Sequence, residues 1–240
     1  MPDRAVCLLS GGLDSSTTLA IAVSKGFQCQ ALSFRYGQIH TKEIESAAKI
    51  AGYFGVDHRV MDLDLSNITV SALTGVGEIP KRALPEIGNE IPSSYVPSRN
   101  IVFLSIAASM AEGLNTGHIF IGANALDYSG YPDCRPEFFR EFENALNVGT
   151  KFGIEKGFRI HVPLQYLKKS EIISMGTRMK VPYHLTTSCY RGADVACGEC
   201  DSCLLRLKGF MEAGQKDPIQ YAKYPDFYER YLEAQETRKK

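Results

Sequence analysis

Residues 8–18 read LLSGGLDSSTT and join two segments of different character. Residues 5–9, Ala-Val-Cys-Leu-Leu, form an apolar run that is typical of a buried strand. Apolar residues recur at helical spacing after the two glycines, from Leu19 to Val23. The stretch therefore predicts a strand, a tight glycine turn and the N-terminus of a helix. Such a turn leaves backbone N–H groups unpaired at the positive end of the helix dipole, where an anion such as phosphate binds.

The alternative is a plain turn without a ligand, in which Asp14 or Ser15 caps the helix. Two common phosphate-binding patterns are excluded here. The loop has no lysine at the helix start, which the Walker A pattern needs, and it does not match G-x-G-x-x-G.

Composition and charge limit the class of protein. The chain has 240 residues, 44% of them hydrophobic, which is ordinary for a globular protein. Lys plus Arg and Asp plus Glu both total 27, and this balance does not favour a nucleic acid as the partner. No apolar run reaches the roughly 20 residues that a membrane helix needs. Residues 1–4 lead directly into the first predicted strand without a signal peptide, so we expect a cytoplasmic protein.

Strand-like and helix-like segments alternate along the rest of the chain. This alternation predicts an α/β fold, with a Rossmann-like parallel sheet, helices on both faces, and a ligand beyond the carboxyl ends of the strands. The proline-rich residues 66–98 are expected to form a long surface loop of the kind that often acts as a lid. The further predicted strands are 29–34, 58–63, 118–122 and 158–163, and the further predicted helices are 41–52, 99–114, 168–178 and part of 221–240.

Four of the seven cysteines fall in the run CYRGADVACGECDSC, residues 189–203. Their spacing allows four thiolates to close around one metal ion, and four thiolates saturate a tetrahedral structural zinc. A [4Fe–4S] cluster is the competing interpretation. Bacterial ferredoxin runs of this spacing continue with proline, whereas a helix-like segment beginning at Leu204 follows here, which favours zinc. The predicted ligands are Cys189, Cys197, Cys200 and Cys203. We therefore divide the chain into an α/β domain, 1–185, and a zinc-binding helical segment with its tail, 186–240.

The loop Ser10–Ser15 resembles the SGGxDS loop of the ATP pyrophosphatases, also called PP-loop proteins. The resemblance implies that the loop holds the β and γ phosphates of ATP, that the α–β bond is broken, and that Asp14 helps to position Mg²⁺. The ATP-binding residues implied are Leu9, Ser10, Gly11, Gly12, Leu13, Asp14, Ser15, Ser16, Thr17 and Thr18.

Further motifs resemble the 7-cyano-7-deazaguanine synthase family of queuosine biosynthesis. They are FRYGQ at 34–38, VPSRN at 96–100, NALDYSGYPDCRP at 124–136 and TSCY at 187–190, together with the cysteine run. The resemblance extends from about residue 5 to about residue 211. Ser98 departs from the glycine that the family often has, but both residues suit a turn.

The resemblance implies an ATP-dependent ligase that makes a nitrile. It implies that the carboxylate of 7-carboxy-7-deazaguanine is adenylated, that free ammonia forms the amide, and that a second ATP converts the amide to the nitrile. It also implies a homodimer. The substrate or catalytic residues implied are His40, Glu43, Arg99, Asn100, Asp127, Tyr128, Asp133, Arg135 and Lys169.

Individual roles within this set are less specific. Asp127, Asp133 or Glu43 is expected to bind the guanine-like edge, because a carboxylate accepts hydrogen bonds from adjacent ring N–H and amino groups. The basic residues are expected to hold the substrate carboxylate or the phosphates. Each of these charged residues is alternatively part of a structural ion pair.

Two other functions fit parts of the sequence. A tRNA-thiolating enzyme shares the SGGxDS loop and in some cases has a cysteine-bound cluster, but the balanced charge and the DYSGYPDCRPEF stretch do not favour it. A nucleotide sensor without catalytic activity would use the loop only to bind ATP.

Overall fold

A computed structural model describes residues 2–38, 41–79, 81–87, 90–125 and 131–237. Five strands form one sheet in the order β3-β2-β1-β4-β5, and all four pairings are parallel. Each strand overlaps one of the five predicted from the sequence. The strands are β1 (Arg4–Leu8), β2 (Gln28–Arg35), β3 (Asp57–Asp62), β4 (His118–Phe120) and β5 (Arg159–His161).

Helices connect the strands and follow the last one. Those predicted over 41–52, 99–114 and 168–178 are present with bounds that differ by no more than two residues. The helices are α1 (Leu13–Ser24), α2 (Lys42–Phe54), α3 (Arg99–Gly113), α4 (Pro136–Gly149), α5 (Lys151–Glu155), α6 (Lys169–Arg178), α7 (Asp201–Glu212) and α8 (Asp226–Thr237).

Strand β1 lies in the centre of the sheet and is buried on both faces. Val6 and Leu8 belong to the apolar cluster that includes α3 and α4. Ala5 and Cys7 belong to the cluster on the other face, which includes α1 and α2. A strand covered on both faces is apolar at every position, because successive side chains point to opposite faces. The predicted α/β class, with helices on both faces of a parallel sheet, is confirmed.

A third apolar cluster joins the C-terminal part of the chain to the α/β domain. It contains Leu164 and Ile172 together with Cys200, Phe210 and Tyr228, all of which are almost completely buried. The cluster includes residues from both sides of position 185, and the division of the chain at that position stays a prediction.

The segment 66–98 runs over the surface, and its described part has two one-turn 3₁₀ helices. It is held at Arg82, whose Nε donates to the buried Asp201 carboxylate at 2.9 Å. Asp201 lies in the first turn of α7, so this long segment is fixed to the cysteine-containing end of the chain. Its predicted function as a lid stays a prediction. Among the described helices, none has the length and apolar character needed to cross a bilayer.

Candidate active site

A cavity of about 290 Å³ opens at the carboxyl edge of the sheet, where β1 lies between β2 and β4. The chain order reverses at this point, because β2 and β3 extend the sheet to one side of β1 and β4 and β5 to the other. Ligands of open parallel sheets bind at such a switch point. The cavity is lined by residues that follow β1, β2 and β4 and by members of α2, α3, α6 and α7.

The predicted phosphate loop forms one wall of the cavity. Six of its ten predicted residues line the wall: Leu9, Ser10, Gly12, Leu13, Asp14 and Ser15. Gly12 is the N-cap of α1 and no described side chain caps the helix in its place. The first N–H groups of α1 are therefore available to an anion. The hydroxyls of Ser10 and Ser15 lie 3.0 Å apart beside them.

Gly11 brings the loop close to α2. Its φ of +76° is in the left-handed region, and a Cβ here would lie 2.4 Å from the Glu43 carbonyl oxygen and 2.5 Å from the Ala47 nitrogen. No side chain fits, so glycine is required on both counts. A similar close approach occurs at Gly122, where a Cβ would lie 2.9 Å from the Ser15 nitrogen. The loop is thus held between α2 and the end of β4.

The other predicted loop residues contact the protein. Ser16, Thr17 and Thr18 are fully buried. The Ser16 hydroxyl donates to the Gly12 carbonyl at 2.7 Å, and the Thr17 hydroxyl lies 2.8 Å from Tyr183 Oη. These contacts fix the first two turns of α1 from behind. Direct binding of ATP by Gly11, Ser16, Thr17 and Thr18 stays a prediction.

Asp14 and Lys169 form an ion pair at the cavity wall. The Lys169 ammonium donates to both Asp14 carboxylate oxygens, at 2.9 and 2.8 Å. Lys169 begins α6, which packs against α7 at Gly209, where a Cβ would lie 2.3 Å from Lys169 Cγ. The sequence motifs that predicted these two residues are 155 positions apart, and the fold brings them into contact.

Arg99, Glu43 and Tyr36 form a second polar group in the same cavity. Arg99 donates to the Tyr36 hydroxyl at 3.4 Å, and its guanidinium lies 5.7 Å from the centre of that ring. Burial raises the pKa of Glu43, while the nearby Arg99 charge lowers it. Burial alone would lower the pKa of Arg99, but Tyr36, Tyr131 and Asp133 raise it above its usual value. The group therefore offers a cation and a carboxylate within the same cavity.

Asn100 and Asp133 hold the start of α3 in place. The Asp133 carboxylate accepts from the Asn100 backbone N–H at 3.1 Å, and the Asn100 amide donates to the Asp133 carbonyl at 3.1 Å. Burial raises the pKa of the Asp133 carboxyl. Asn100 lines the cavity, whereas the described contacts of Asp133 are with the protein. Asp133 thus caps the helix that carries Arg99, and its predicted contact with substrate stays a prediction.

The remaining predicted substrate residues do not join this group in the described structure. Arg135 is exposed at the start of α4 and does not line the cavity. His40, Asp127 and Tyr128 lie outside the described residues. Their predicted roles stay predictions.

The four predicted metal ligands meet in one buried cluster. The sulfur atoms of Cys189, Cys197, Cys200 and Cys203 all lie within 4.8 Å of one another. The Cys197 sulfur accepts backbone N–H groups from Glu199 and Cys200, both at 3.4 Å. A tetrahedral ion with sulfur ligands at about 2.3 Å keeps the sulfurs about 3.8 Å apart. The four predicted ligands are therefore placed so that they could hold a single metal ion.

Sequence reasoning missed several residues at the site. Phe34 and Phe103, whose rings stack at 4.0 Å, line the cavity beside Tyr36, and so does Tyr190. It also missed the fully buried Arg206. An arginine placed among the leucines of the α7 sequence DSCLLRLKGFME was a signal that would have found it.

A parallel sheet with an SGGxDS loop between β1 and α1, at the switch point, defines a nucleotide-binding α/β protein of the PP-loop class. A family model described as "Queuosine biosynthesis protein QueC" matches residues 4–214. The chain belongs to this QueC family, and the resemblance stated from the sequence motifs is confirmed.

Proteins named 7-cyano-7-deazaguanine synthase are similar to the chain over nearly all its length. That of Thermoplasma volcanium is 58% identical over 232 residues, covering 97% of this chain and 96% of that protein. That of Thermoplasma acidophilum is 59% identical over 230 residues, with 96% and 97% covered. That of Desulfatibacillum aliphaticivorans is 53% identical over 225 residues, with 91% and 97% covered.

Proposed function

We propose that this protein is an ATP-dependent nitrile synthase that converts 7-carboxy-7-deazaguanine and ammonia to 7-cyano-7-deazaguanine. The observation that carries the proposal is one cavity that joins an uncapped helix N-terminus with its hydroxyls to the Arg99–Glu43 group and its aromatic neighbours. The first part suits a polyphosphate and the second a flat, polar heterocycle with a carboxylate. Membership of the QueC family supports the same substrate.

The reaction requires two activations. A substrate carboxylate oxygen attacks the α phosphorus of ATP, the α–β bond breaks, and diphosphate leaves. Ammonia then attacks the acyl carbon, AMP leaves, and loss of a proton gives the primary amide. The amide oxygen is adenylated by a second ATP in the same way, and loss of AMP and protons from the imidate leaves the nitrile. The sum is two AMP and two diphosphate for each nitrile.

The phosphate loop would hold the departing diphosphate. The N–H groups of the first turn of α1 and the Ser10 hydroxyl would donate to phosphate oxygens, and the Ser15 hydroxyl would do so in place of its bond to the Gly12 carbonyl. Lys169 supplies positive charge from the other side, beside Asp14. Mg²⁺ held at Asp14 would neutralise further phosphate charge.

The polar group of Arg99, Glu43 and Tyr36 would hold the heterocycle of the substrate. Glu43 faces the cavity and accepts hydrogen bonds, which suits the adjacent ring N–H and amino donors of a guanine-like edge. Arg99 suits the substrate carboxylate, because a guanidinium forms paired hydrogen bonds with it. The aromatic residues Tyr36, Phe103 and Tyr190 offer surfaces on which a planar ring stacks.

The cysteine cluster would hold one structural zinc ion. In a [4Fe–4S] cube each thiolate binds a different iron, so the four sulfurs stand farther apart than around one ion. The separation of at most 4.8 Å supports a single ion. Four thiolates also leave no position for a reactive water, which supports a structural role.

The experiment is to incubate the purified protein with ATP, Mg²⁺, ammonium and 7-carboxy-7-deazaguanine and to analyse the products by mass. About two AMP and two diphosphate per nitrile are expected. ADP and phosphate as the sole nucleotide products would contradict the proposal. Omitting ammonium while supplying glutamine tests free ammonia as the nitrogen source.

A separate binding experiment with tRNA tests the tRNA-thiolating alternative. The family membership does not favour it, and we expect no retention of tRNA at physiological salt. Retention together with absence of the nitrile would support the alternative.

The protein is also proposed to be a cytoplasmic homodimer. Seven free cysteines are typical of a reducing compartment. Strand β3 is an edge of the sheet, with Val60 and Met61 exposed on it, and such an edge is suited to pairing with a second copy. Light scattering of the protein and of a Val60→Lys variant measures the association directly.

A further inference from the structure

Arg206 is buried in the middle of α7 with 2% of its side chain exposed. It forms a paired contact with the equally buried Asp217, from Nε to Oδ2 at 2.7 Å and from Nη2 to Oδ1 at 2.9 Å. A buried ion pair is weak evidence for added stability, because removing two charges from water costs about as much as their attraction returns. The remaining N–H groups of the guanidinium indicate a structural role for this ion pair, because they bind another segment of the chain.

The other three N–H groups of Arg206 bind the segment 183–188. Nη1 donates to the Thr186 hydroxyl at 2.7 Å and to the Ser188 hydroxyl at 3.3 Å. Nη2 donates to the Tyr183 carbonyl at 3.2 Å. A guanidinium has five N–H donors, and all five are now occupied. Although Arg206 borders the cavity, it has no donor left for a phosphate or a substrate.

Segment 183–188 in turn holds the phosphate loop. The Thr187 N–H donates to the Gly11 carbonyl at 3.0 Å. The Thr187 carbonyl lies against Gly12, 3.4 Å from where a Cβ would be. The Tyr183 hydroxyl lies 2.8 Å from the Thr17 hydroxyl on the buried side of α1. The segment therefore fixes both the turn of the loop and the helix that follows it.

We propose that Arg206 is a positioning residue for the phosphate loop, acting through Thr186, Ser188 and Tyr183 on Gly11 and Thr17. The proposal rests on the proposed function in that the loop is taken to bind ATP. Helix α7 begins beside Cys200 and carries Cys203 in its first turn, one turn before Arg206. The cysteine cluster thereby helps to set the position of Arg206, and the metal-binding group is connected to the phosphate loop through this residue.

The first test is hydrogen exchange of the nucleotide-free protein. Thr186→Val removes one acceptor of Arg206 and the hydroxyl's own bond to the Tyr183 carbonyl at nearly constant shape, while both partners of the Arg206–Asp217 pair stay in place. The Thr187 amide, which is protected by its bond to Gly11, is expected to exchange faster in this variant. Thr116→Val is the matched control. Thr116 is also buried, and its hydroxyl donates to the Arg4 carbonyl at the amino edge of the sheet.

The second test is ATP binding by calorimetry with the same variants. Loss of one hydrogen bond that orders the loop is expected to weaken binding about three- to tenfold in Thr186→Val. Thr116→Val should match the wild type after correction for any change in stability. Arg206→Lys keeps the charge beside Asp217 but loses the fixed fork of donors, and it is expected to weaken ATP binding by more than Thr186→Val does.

Unchanged Thr187 exchange and unchanged ATP affinity in folded Thr186→Val protein would overturn the proposal, and so would an equal effect of Thr116→Val. If Arg206→Lys does not fold, Thr186→Val still decides the question. Failure of the wild type to bind ATP, with faster Thr187 exchange in Thr186→Val, would contradict the proposed function and still support the positioning role of Arg206.

Discussion

The Lys169 ammonium lies 2.9 and 2.8 Å from the two carboxylate oxygens of Asp14, so the first turns of α6 and α1 are joined at the mouth of the phosphate loop. A polyphosphate bound at the loop would bring negative charge next to the Asp14 carboxylate. Lys169 already balances the charge of that carboxylate. The pair therefore keeps a carboxylate close to a phosphate site where it would otherwise be repelled. In the proposed function, Asp14 would also hold Mg²⁺ between its carboxylate and the phosphates.

Asp14→Asn is expected to lower the rate of AMP formation by at least about 100-fold, because the amide loses the charge needed for a metal ion. The free energy of unfolding should change by less than about 1 kcal/mol, since the side chain is partly exposed and such pairs contribute little. Product analysis and thermal melting measure the two effects.

The control for this prediction is Asp62→Asn. Asp62 pairs with Arg35 on the exposed edge of the sheet, away from the cavity. This variant should leave both the rate and the melting temperature unchanged. An Asp14→Asn protein that unfolds instead would show that the Asp14–Lys169 ion pair is needed for folding.

Gly11→Ala is expected to destabilise the protein by more than about 3 kcal/mol, because its Cβ would overlap the backbone of α2. Gly55→Ala is the matched control, since Gly55 also has a positive φ, of +63°, but a Cβ there meets nothing within 4 Å. The control should cost only about 1 kcal/mol for the backbone conformation. Urea unfolding of both variants measures the difference. Equal losses would show that the loop is able to move away from α2.

The strands and the phosphate loop were predictable from the sequence because their signals are local. Apolar runs mark strands that are buried on both faces, and the paired glycines mark a turn. The cysteine cluster was also predictable, because its ligands are close together in the chain. Helix α4 was missed although Phe138, Phe142 and Leu146 recur at a spacing of four residues, which is typical of one face of a helix.

Contacts between distant segments were not predictable in the same way. The pairing of Arg206 with Asp217, and the link from Arg206 to the Gly11 turn, depend on how α7 packs against the rest of the protein. Motif position did not distinguish residues that face the cavity from residues beside it. Arg99 faces the cavity, whereas Arg135 begins the next helix and faces solvent.

Stability is expected to fall between about pH 6.5 and pH 4 because of His161. Burial lowers the pKa of His161 to about 4, with the positive charge of His118 acting in the same direction. The His118 Nδ1 and His161 Nε2 atoms are 2.9 Å apart. An unfolded chain has a histidine pKa of about 6.5, so in this window it binds a proton that the folded protein does not. Acidification is expected to lower the free energy of unfolding by about 1–2 kcal/mol. This is less than the full pKa shift of His161 would give, because the ring is partly exposed.

The measurement is urea unfolding at pH 7 and pH 4.5 for the wild type, His161→Gln and His184→Gln. The loss of stability between the two pH values should be smaller in His161→Gln than in the wild type. His184 is exposed, and its variant should keep the full loss. An identical loss in all three proteins would contradict a role for His161.

Cys200→Ser is expected to remove the proposed zinc ion and to destabilise the C-terminal part of the protein. All four thiolates are buried in one cluster that belongs to the third apolar core, so loss of the ion leaves polar sulfur groups without a partner there. A loss of more than about 3 kcal/mol is expected, since structural zinc contributes folding energy directly. This corresponds to a fall in melting temperature of about 6–12 °C for a chain of this size.

Cys29→Ser is the control for this prediction, because Cys29 is also buried but lies in β2 outside the cluster. It should retain one metal ion per chain, whereas Cys200→Ser should retain less than half of one when purified in the same way. Metal analysis of protein purified without oxygen identifies the ion. Iron with sulfide and a brown colour would contradict zinc, and full metal content in Cys200→Ser would contradict the assignment of this ligand. Because α7 connects the cluster to Arg206, the zinc-depleted variant should also bind ATP more weakly while the sheet stays folded, a difference that calorimetry and far-UV circular dichroism together measure.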